Sequence, residues 1–265
     1  MSLDVLAQIA ELPRIAPAVH RSRDAVDQLL WDRQARSVAS ELARQSQLRG
    51  AWASAAMEGA EIPLDSVLVG RIEDSPMGEK VRRSVVVTEG VPPLVDVFEK
   101  APLQAWARLS ALASAGLVPE DQVGRPRQGM EADDPLRLGA LPSPQECADR
   151  LTALGTVCVS PSTAPAIVTA AVVHAELAVL RPFVHGSGLV ARASIRLVLA
   201  SRGVDPDLLT IPEAGLLGAG RPKYVRALNS YAEGSSDGMV AWVTWFCDAV
   251  RLGAVQAHQL VPDLG

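Results

Sequence analysis

The sequence predicts an all-α protein, and three observations favour this fold class. Apolar residues recur at helical spacing over segments much longer than a typical strand. Alanine and leucine, which are good helix formers, are abundant in these segments. Aromatic residues, which favour strands, make up only 4% of the 265 residues. No internal repeat is apparent.

The first elements form an N-terminal helical arm. Residues 21–57 carry an apolar side at helical spacing, which predicts one or two helices. Residues 71–82 are polar and include Pro76 and Gly78, which predicts a loop. Helical periodicity returns over residues 85–100 and 103–117. We place a soft boundary near residue 95, so that a helical region (1–95) precedes a second domain (96–265).

The pattern changes between Val118 and Pro144, where proline, glycine and charged residues dominate. This is the one segment that predicts a β-hairpin, which would form a small flap on the helical bundle. An irregular surface loop is an equally good interpretation of the same composition. Both alternatives place this segment on the surface, before the most apolar part of the chain.

That apolar part is the segment Ala166–Leu180, which follows Pro165 and predicts a buried central helix. A second helix is predicted over residues 190–201. Gly186 and Gly188 lie between the two helices, where glycine permits positive φ and close backbone approach. Amide hydrogens of such a loop can converge on an anion at the helix N-terminus, which makes it a candidate phosphate site. A simple turn between two core helices is the alternative.

The residues Arg181-Pro182-Phe183-Val184-His185-Gly186-Ser187-Gly188-Leu189-Val190-Ala191-Arg192 resemble the signature loop of the Fic/Doc family. The family pattern is His-Pro-Phe-x-(Asp/Glu)-Gly-Asn-Gly-Arg-x-x-Arg. The proline, the phenylalanine, both glycines and the last arginine are in register. Arg181 stands at the catalytic histidine, His185 at the metal-binding acid, Ser187 at the asparagine and Leu189 at the first arginine. The resemblance covers most of residues 100–255 and implies a Fic-like helical bundle with a degenerate loop.

A second resemblance lies in Ser54-Ala55-Ala56-Met57-Glu58-Gly59, which fits the (Ser/Thr)-x-x-x-Glu-(Gly/Asn) pattern of the inhibitory helix in many Fic proteins. In that family the glutamate pairs with the last arginine of the signature loop. The resemblance therefore implies a regulatory role for Ser54, Glu58 and Gly59, and a contact between Glu58 and Arg192. An exposed carboxylate at a helix end is the alternative for Glu58.

The substitutions remove most of the chemistry that the resemblance implies. The family histidine takes a proton from a target hydroxyl, and the Arg181 guanidinium cannot do this because it stays protonated. His185 is a poor replacement for the acid, because Mg²⁺ prefers oxygen ligands. His185 is a weak candidate for a substitute base, four residues from the expected position. Arg181 either binds an anion or pairs with an acid such as Glu176 and closes the cleft.

Composition excludes several other classes. The formal net charge is −5, and no run of Lys and Arg suits a nucleic-acid backbone. The three cysteines lack Cys-x-x-Cys spacing, so neither a disulfide framework nor a zinc site is predicted. The N-terminus carries an acidic residue where a signal peptide needs basic ones, and no membrane span is expected. We expect a cytoplasmic protein without a metal.

The sequence therefore predicts a degenerate Fic-domain protein that lacks adenylyl transfer and acts by binding or regulation. Its ligand site would comprise Arg181, Gly186, Ser187, Gly188 and Arg192. No cofactor is indicated, although the loop suits ATP, another nucleotide or a phosphorylated metabolite. A protein target would bind the hairpin flap by strand addition. The alternatives are a divergent transferase that moves AMP or another phosphate-containing group onto a protein hydroxyl, and a helical interaction protein that forms a homodimer.

Overall fold

The structure is a computed structural model that describes residues 4–265, and this part of the chain is built from α-helices and contains no strand. The helices are α1 (Val5–Ala10), α2 (Ile15–Trp31), α3 (Arg33–Ser37), α4 (Ala39–Met57), α5 (Leu64–Leu68), α6 (Pro76–Glu89), α7 (Val95–Lys100), α8 (Pro102–Ser114), α9 (Pro144–Val159), α10 (Ala166–Leu180), α11 (Ser187–Ser201), α12 (Pro212–Gly218), α13 (Arg221–Ala232) and α14 (Ser236–Leu264). Two short 3₁₀ turns, Pro92–Leu94 and Glu120–Gln122, lie between them. The all-α prediction is confirmed.

Helices α10 and α11 form the centre of the fold and pack extensively against each other. Almost every residue of both helices is buried, because other helices surround the pair on all sides. α9, α13 and α14 contact α10, whereas α4, α6, α7, α8 and α12 contact α11. The loop that joins α10 to α11 is therefore held by two buried, rigid elements.

Helix α14 is the longest element and is apolar enough to cross a membrane by length and composition. It packs against α2, α12 and α13, and 56% of its most apolar stretch is buried inside the fold. Side chains such as Trp242, Phe246 and Val250 face the core. Its apolar character is thus explained by its packing against the other helices of the bundle.

The N-terminal arm consists of α2, α3 and α4, one helix more than the upper expectation for residues 21–57. The break falls at Asp32, whose backbone is extended and whose carboxylate accepts a hydrogen bond from Ala35 N at 2.8 Å. Asp32 thus ends α2 and caps α3. One hydrophobic cluster includes residues from both sides of position 95, where α7 begins.

The loop predicted over residues 71–82 is wrong in its second half, because α6 begins at Pro76. Proline is favoured in the first helical turn, and Ser75 Oγ accepts a hydrogen bond from Gly78 N at 3.0 Å. Proline and glycine usually indicate a loop, but here Pro76 and Gly78 lie in the first turn of a capped helix. The periodic segment 85–100 is in turn interrupted by the turn at Pro92–Leu94.

The predicted β-hairpin flap is also wrong, because residues 118–143 form an irregular segment apart from the turn at Glu120–Gln122. Four prolines in this segment have no backbone N–H for a strand ladder, and several residues, Arg137 among them, have positive φ. Its backbone instead bonds to the loop between α10 and α11. Arg127 N donates to Pro182 O at 2.7 Å, and Asp133 N donates to Val184 O at 2.9 Å. We call residues 118–143 the cover segment.

Candidate functional site

The loop between α10 and α11 contains two backbone conformations of positive φ. Arg181 ends α10 with φ 43° and ψ 63°, and Gly186 precedes α11 with φ 77°. Glycine is needed at position 186 for space as well, because a Cβ atom there would lie 2.6 Å from Ala113 Cβ. Arg181 is an arginine where such a conformation is costly, so its surroundings must hold it in place.

Ser187 closes the loop on itself. Its Oγ accepts a hydrogen bond from Phe183 N at 3.0 Å and donates one to Phe183 O at 2.9 Å. The serine is the first residue of α11, and Gly186 occupies the N-cap position. The hydroxyl thus does not cap the helix, and it is already satisfied by the backbone of Phe183.

Arg181 is buried and bound to the cover segment. Its Nη1 lies 2.8 Å from Asp134 Oδ2, and its Nη2 donates to the carbonyl oxygens of Gly139 and Ala140, both at 2.9 Å. Burial lowers the pKa of Arg181. The alternative in which Arg181 pairs with an acid is thus observed, but the acid is Asp134 and not Glu176, which binds Arg150.

Arg127 of the cover segment is a structural residue of this site that the sequence did not reveal. Its side chain is buried and donates hydrogen bonds to the carbonyl oxygens of Arg181, Gly129 and Pro142 at 3.0, 2.8 and 2.7 Å. It also reaches Leu180 O at 3.4 Å. The last carbonyl oxygens of a helix lack intrahelical donors, and Arg127 provides hydrogen bonds to those at the C-terminal end of α10.

Asp133 brings a carboxylate to the loop itself. Its Oδ2 accepts a hydrogen bond from Gly186 N at 3.1 Å and lies 3.1 Å from His185 Nδ1. Burial raises the pKa of Asp133, and the charge of Glu58 acts in the same direction, whereas the Gly186 N–H opposes it. The sequence offered no signal for this contact, because Asp133 lies in a segment without periodicity.

Glu58 and Arg192 are in contact, as the resemblance implied. Arg192 Nη2 donates to Glu58 Oε1 at 2.5 Å, and Arg192 Nε donates to Ser54 Oγ at 2.6 Å. The Arg192 side chain is 0% exposed and that of Glu58 is 9% exposed. Arg192 Nη1 is buried without a hydrogen-bond partner among residues 4–265. The cation is therefore only partly satisfied by the protein.

The Glu58 carboxylate lies directly over the N-terminus of α11. A Cβ atom at Gly188 would be 2.5 Å from Glu58 Oε1 and 3.2 Å from Arg192 Nη1. The N–H groups in the first turn of a helix have no intrahelical acceptor and attract anions. Gly188 thus leaves space for an anionic group between this turn and Arg192, and Glu58 takes that space.

The end of α4 fixes Glu58 in this position. Gly59 has φ 86°, and Ala60 N donates to Ala55 O at 3.0 Å, a pattern that closes a helix at a left-handed residue. The chain therefore turns away immediately after Glu58. Gly59 contributes through its backbone, since only glycine adopts this φ without strain.

A second buried contact between α4 and the core lies three turns earlier and was not predicted. Arg196 of α11 donates to Glu213 through Nε at 2.6 Å and through Nη2 at 2.8 Å, and to Ser46 Oγ at 2.9 Å. A Cβ atom at Gly50 would clash with Arg196, so glycine allows α4 to approach this closely. Helix α4 is thus joined to α11 by two arginines, Arg192 and Arg196.

His174 lies in the core close to Arg192, on the neighbouring helix α10. Its Nδ1 lies 2.9 Å from Ala191 O and its Nε2 lies 2.7 Å from the Tyr224 hydroxyl, so Nδ1 donates and Nε2 accepts. Complete burial lowers the pKa of His174 to about 3, which keeps it neutral. His174 is a satisfied core histidine, and Tyr224 lies beside Arg192.

A cavity of about 490 Å³ opens beside the loop, between α6 and the cover segment. Glu58, Asp133 and His185 line its inner end. Lys80 and Arg83 of α6 also line the wall, together with the carboxylates of Glu79 and Asp134, and Arg83 Nε lies 2.7 Å from Glu79 Oε1. Its remaining walls are largely apolar and include Leu117, Pro135 and Leu189. The cavity therefore opens beside the loop between α10 and α11 and has the size and partly apolar lining of a small-molecule site.

No protein-family model matches the sequence, and no curated protein is detectably similar to it. Solved structures are informative, because a Fic family protein from Desulfovibrio desulfuricans G20 superimposes with a TM-score of 0.71. That match covers 91% of this chain and 74% of the other, with 18% identity. This chain has a Fic fold. The low identity extends this conclusion to the fold alone.

Two further solved structures have the same fold. A fragment of Fic-1 from C. elegans matches with a TM-score of 0.69 and 16% identity, covering 92% of this chain and 72% of that one. A Fic domain containing signaling protein from Bacteroides thetaiotaomicron matches with a TM-score of 0.68 and 13% identity, covering 93% and 97%. The Fic fold thus includes the N-terminal helices as well as the central pair.

The residues predicted for the site fall into two groups. Ser54, Glu58, Gly188 and Arg192 come together around the N-terminus of α11. Arg181 lies at the C-terminus of α10, where its Nη groups bind Asp134 and two carbonyl oxygens, and Ser187 is bonded to Phe183. His185 lines the cavity, with its Nδ1 against Asp133.

Proposed function

We propose that this chain is a degenerate Fic-domain protein that binds a nucleotide or another phosphate-bearing molecule without transferring AMP. One observation carries the proposal: the Glu58 carboxylate occupies the space over Gly188, beside the unpartnered Nη1 of buried Arg192. A carboxylate in that place is the protein's own substitute for a phosphate group. A ligand phosphate that displaced Glu58 would gain the helix N–H groups and the arginine together.

The proposed lack of transfer rests first on Arg181, at the start of the loop. Arg181 stands where the family has its base, and its Nη groups bind Asp134 and two carbonyl oxygens. A guanidinium accepts no proton at neutral pH, even where burial lowers its pKa. The group that should activate a hydroxyl is thus replaced by one that holds the cover segment on the loop.

The donor set beside the loop does not fit the Mg²⁺ that the family uses. His185 stands at the position of the metal-binding acid, and a neutral imidazole suits softer metals. The carboxylate in contact with it, Asp133, is already engaged by Gly186 N and His185. Residues 4–265 contain no group of three acidic, histidine or cysteine side chains that could hold a metal. We therefore derive no step through a metal ion.

The second candidate function is a divergent transferase that moves AMP or another phosphate-containing group onto a protein hydroxyl. The observation that favours it is the 3.1 Å distance between Asp133 Oδ2 and His185 Nδ1, which would leave Nε2 free to accept a proton. In that case His185→Ala would abolish label transfer from a nucleotide to protein, whereas His20→Ala, on the exposed side of α2, would not.

A protein-interaction role and a homodimer have less support. Strand addition needs free backbone groups in the cover segment, and those of Arg127 and Asp133 are already bonded to the loop. A cytoplasmic location is consistent with three buried free cysteines. We therefore keep ligand binding as the principal proposal.

The proposal is tested by the thermal midpoint of purified protein with ATP, ADP, inorganic phosphate and pyrophosphate, with and without Mg²⁺. We expect ligand to raise the thermal midpoint of Glu58→Gly more than that of the wild type, because the substitution vacates the space over Gly188. Ligand at 100 times its Kd adds about 2.7 kcal/mol to the free energy of unfolding. Arg192→Gln in the Glu58→Gly background should remove the shift. Glu61→Gly, at an exposed position after α4, is the matched control. An absence of any shift at millimolar ligand, or transfer of labelled AMP to protein, would contradict the proposal.

A further inference from the structure

The loop between α10 and α11 is covered by two carboxylates, and only Glu58 corresponds to the inhibitory pattern. Asp133 is the second, and it reaches the loop from the opposite side. Its main-chain N–H donates to Val184 O at 2.9 Å, and its Oδ2 accepts from Gly186 N at 3.1 Å. The backbone and the side chain of Asp133 thus both form hydrogen bonds with residues 184–186.

Gly186 N is one of the few donors with which this loop could hold an anion. The residue precedes the first turn of α11, and its N–H points toward Asp133, which lines the cavity. A carboxylate there satisfies the donor that a ligand phosphate would otherwise use. Glu58 fills the adjoining space over Gly188.

The negative charges of Glu58 and Asp133 also repel each other. Both line the same cavity, and the charge of Glu58 contributes to the raised pKa of Asp133, after burial as the principal cause. Like charges in a partly buried site are costly unless each has its own partner. Arg192 provides that partner for Glu58, and Gly186 N with His185 provides it for Asp133.

We propose that Asp133 is a second built-in anion that competes with the ligand for Gly186 N, independently of the inhibitory Glu58. This inference rests on the proposed binding function and adds a determinant from the cover segment. Removal of Glu58 alone then frees only the Gly188 half of the site. A ligand with two linked anionic groups, such as a diphosphate, gains both halves when Asp133 is removed as well.

The test is isothermal titration calorimetry with inorganic pyrophosphate in the Glu58→Gly background. Adding Asp133→Ala should strengthen binding by about tenfold, which corresponds to 1.4 kcal/mol. Asp133→Asn should give a smaller gain, because its amide oxygen still accepts from Gly186 N but carries no charge; this variant also serves if Asp133→Ala does not fold. Glu131→Gln, at an exposed position of the cover segment, is the control and should change nothing.

The outcomes separate this inference from the function on which it rests. If Glu58→Gly binds pyrophosphate and the Asp133 substitutions leave its affinity unchanged or weaken it, the inference is overturned and the proposed function stands. If Glu58→Gly fails to bind but Glu58→Gly/Asp133→Ala binds, the inference is supported. If neither variant binds pyrophosphate, the proposed function fails and the inference with it.

Discussion

Replacing Glu58 by glutamine should destabilise the fold far more than replacing an exposed glutamate of the same helix. The pair that Glu58 forms with Arg192 is buried on both sides, with side chains 9% and 0% exposed. Loss of one partner of such a pair costs about 3–5 kcal/mol, because the remaining charge stays buried without compensation. Glutamine still offers an oxygen to Arg192 Nη2, so we expect the lower end, about 3 kcal/mol.

Urea denaturation at neutral pH measures this loss directly, provided that the transition is two-state. A loss of about 3 kcal/mol corresponds to a fall in the thermal midpoint of roughly 6–12 °C for a domain of this size. Glu41→Gln is the matched control, because Glu41 pairs with Arg44 on the exposed face of α4. Such an exposed pair contributes little to stability, because solvent screens its charges.

Phosphate should restore part of the stability lost in Glu58→Gly, since that variant vacates the space over Gly188 and an anion there would again compensate Arg192. The same anion should have little effect on the wild type or on Glu41→Gln. Equal losses in Glu58→Gln and Glu41→Gln would refute the reasoning, because the buried charge would then have no cost.

Three further predictions concern residues around the site. Burial lowers the pKa of His174 to about 3, whereas an unfolded histidine titrates near 6.5. At pH 5 the unfolded state therefore binds a proton at this histidine that the folded state does not. This difference should make the free energy of unfolding about 2 kcal/mol lower at pH 5 than at pH 7. Denaturant titrations at the two pH values should show that His174→Gln lacks this contribution. Arg127→Ala leaves several carbonyl oxygens without their donor, so amide hydrogen exchange over residues 182–188 should accelerate, and unchanged exchange would contradict the bonding described. Arg181→His should not restore transfer of labelled AMP from ATP, because position 185 still lacks an acid; detectable labelling would show that the histidine alone is sufficient.

The contact between Glu58 and Arg192 could be predicted from the sequence because both residues belong to motifs with fixed spacing. α10 was predicted at its observed bounds, since its apolar residues leave no polar face and Pro165 precedes its first turn. The start of α11 was placed three residues too late, because the glycine-rich loop concealed that Ser187 is already helical.

The partners of Arg181 could not be predicted, because they come from a segment with no periodic pattern. Glu176 was the nearest acid along the chain, yet α10 directs it toward Arg150 and Tyr231. The left-handed conformation of Arg181 sends its side chain toward Asp134 instead. Neither this turn nor the contacts of Asp133 and Arg127 leave a signal in composition or spacing.

The hairpin was predicted from proline, glycine and charge, and the same composition produced a segment without strands. Prolines remove the N–H donors on which a ladder depends, so such a segment satisfies its backbone through side chains and neighbouring loops. Asp134 illustrates this, since its carboxylate accepts from Leu138 N at 2.9 Å and Gly139 N at 3.0 Å.

The crystal structure of Glu58→Gly soaked with millimolar ATP tests the central claim most directly. We expect a phosphate group within hydrogen-bond distance of Gly188 N and Arg192 Nη1, in the space that Glu58 occupies in the wild type. A nucleotide bound elsewhere, or a loop free of ligand at that concentration, would contradict a phosphate site at the N-terminus of α11.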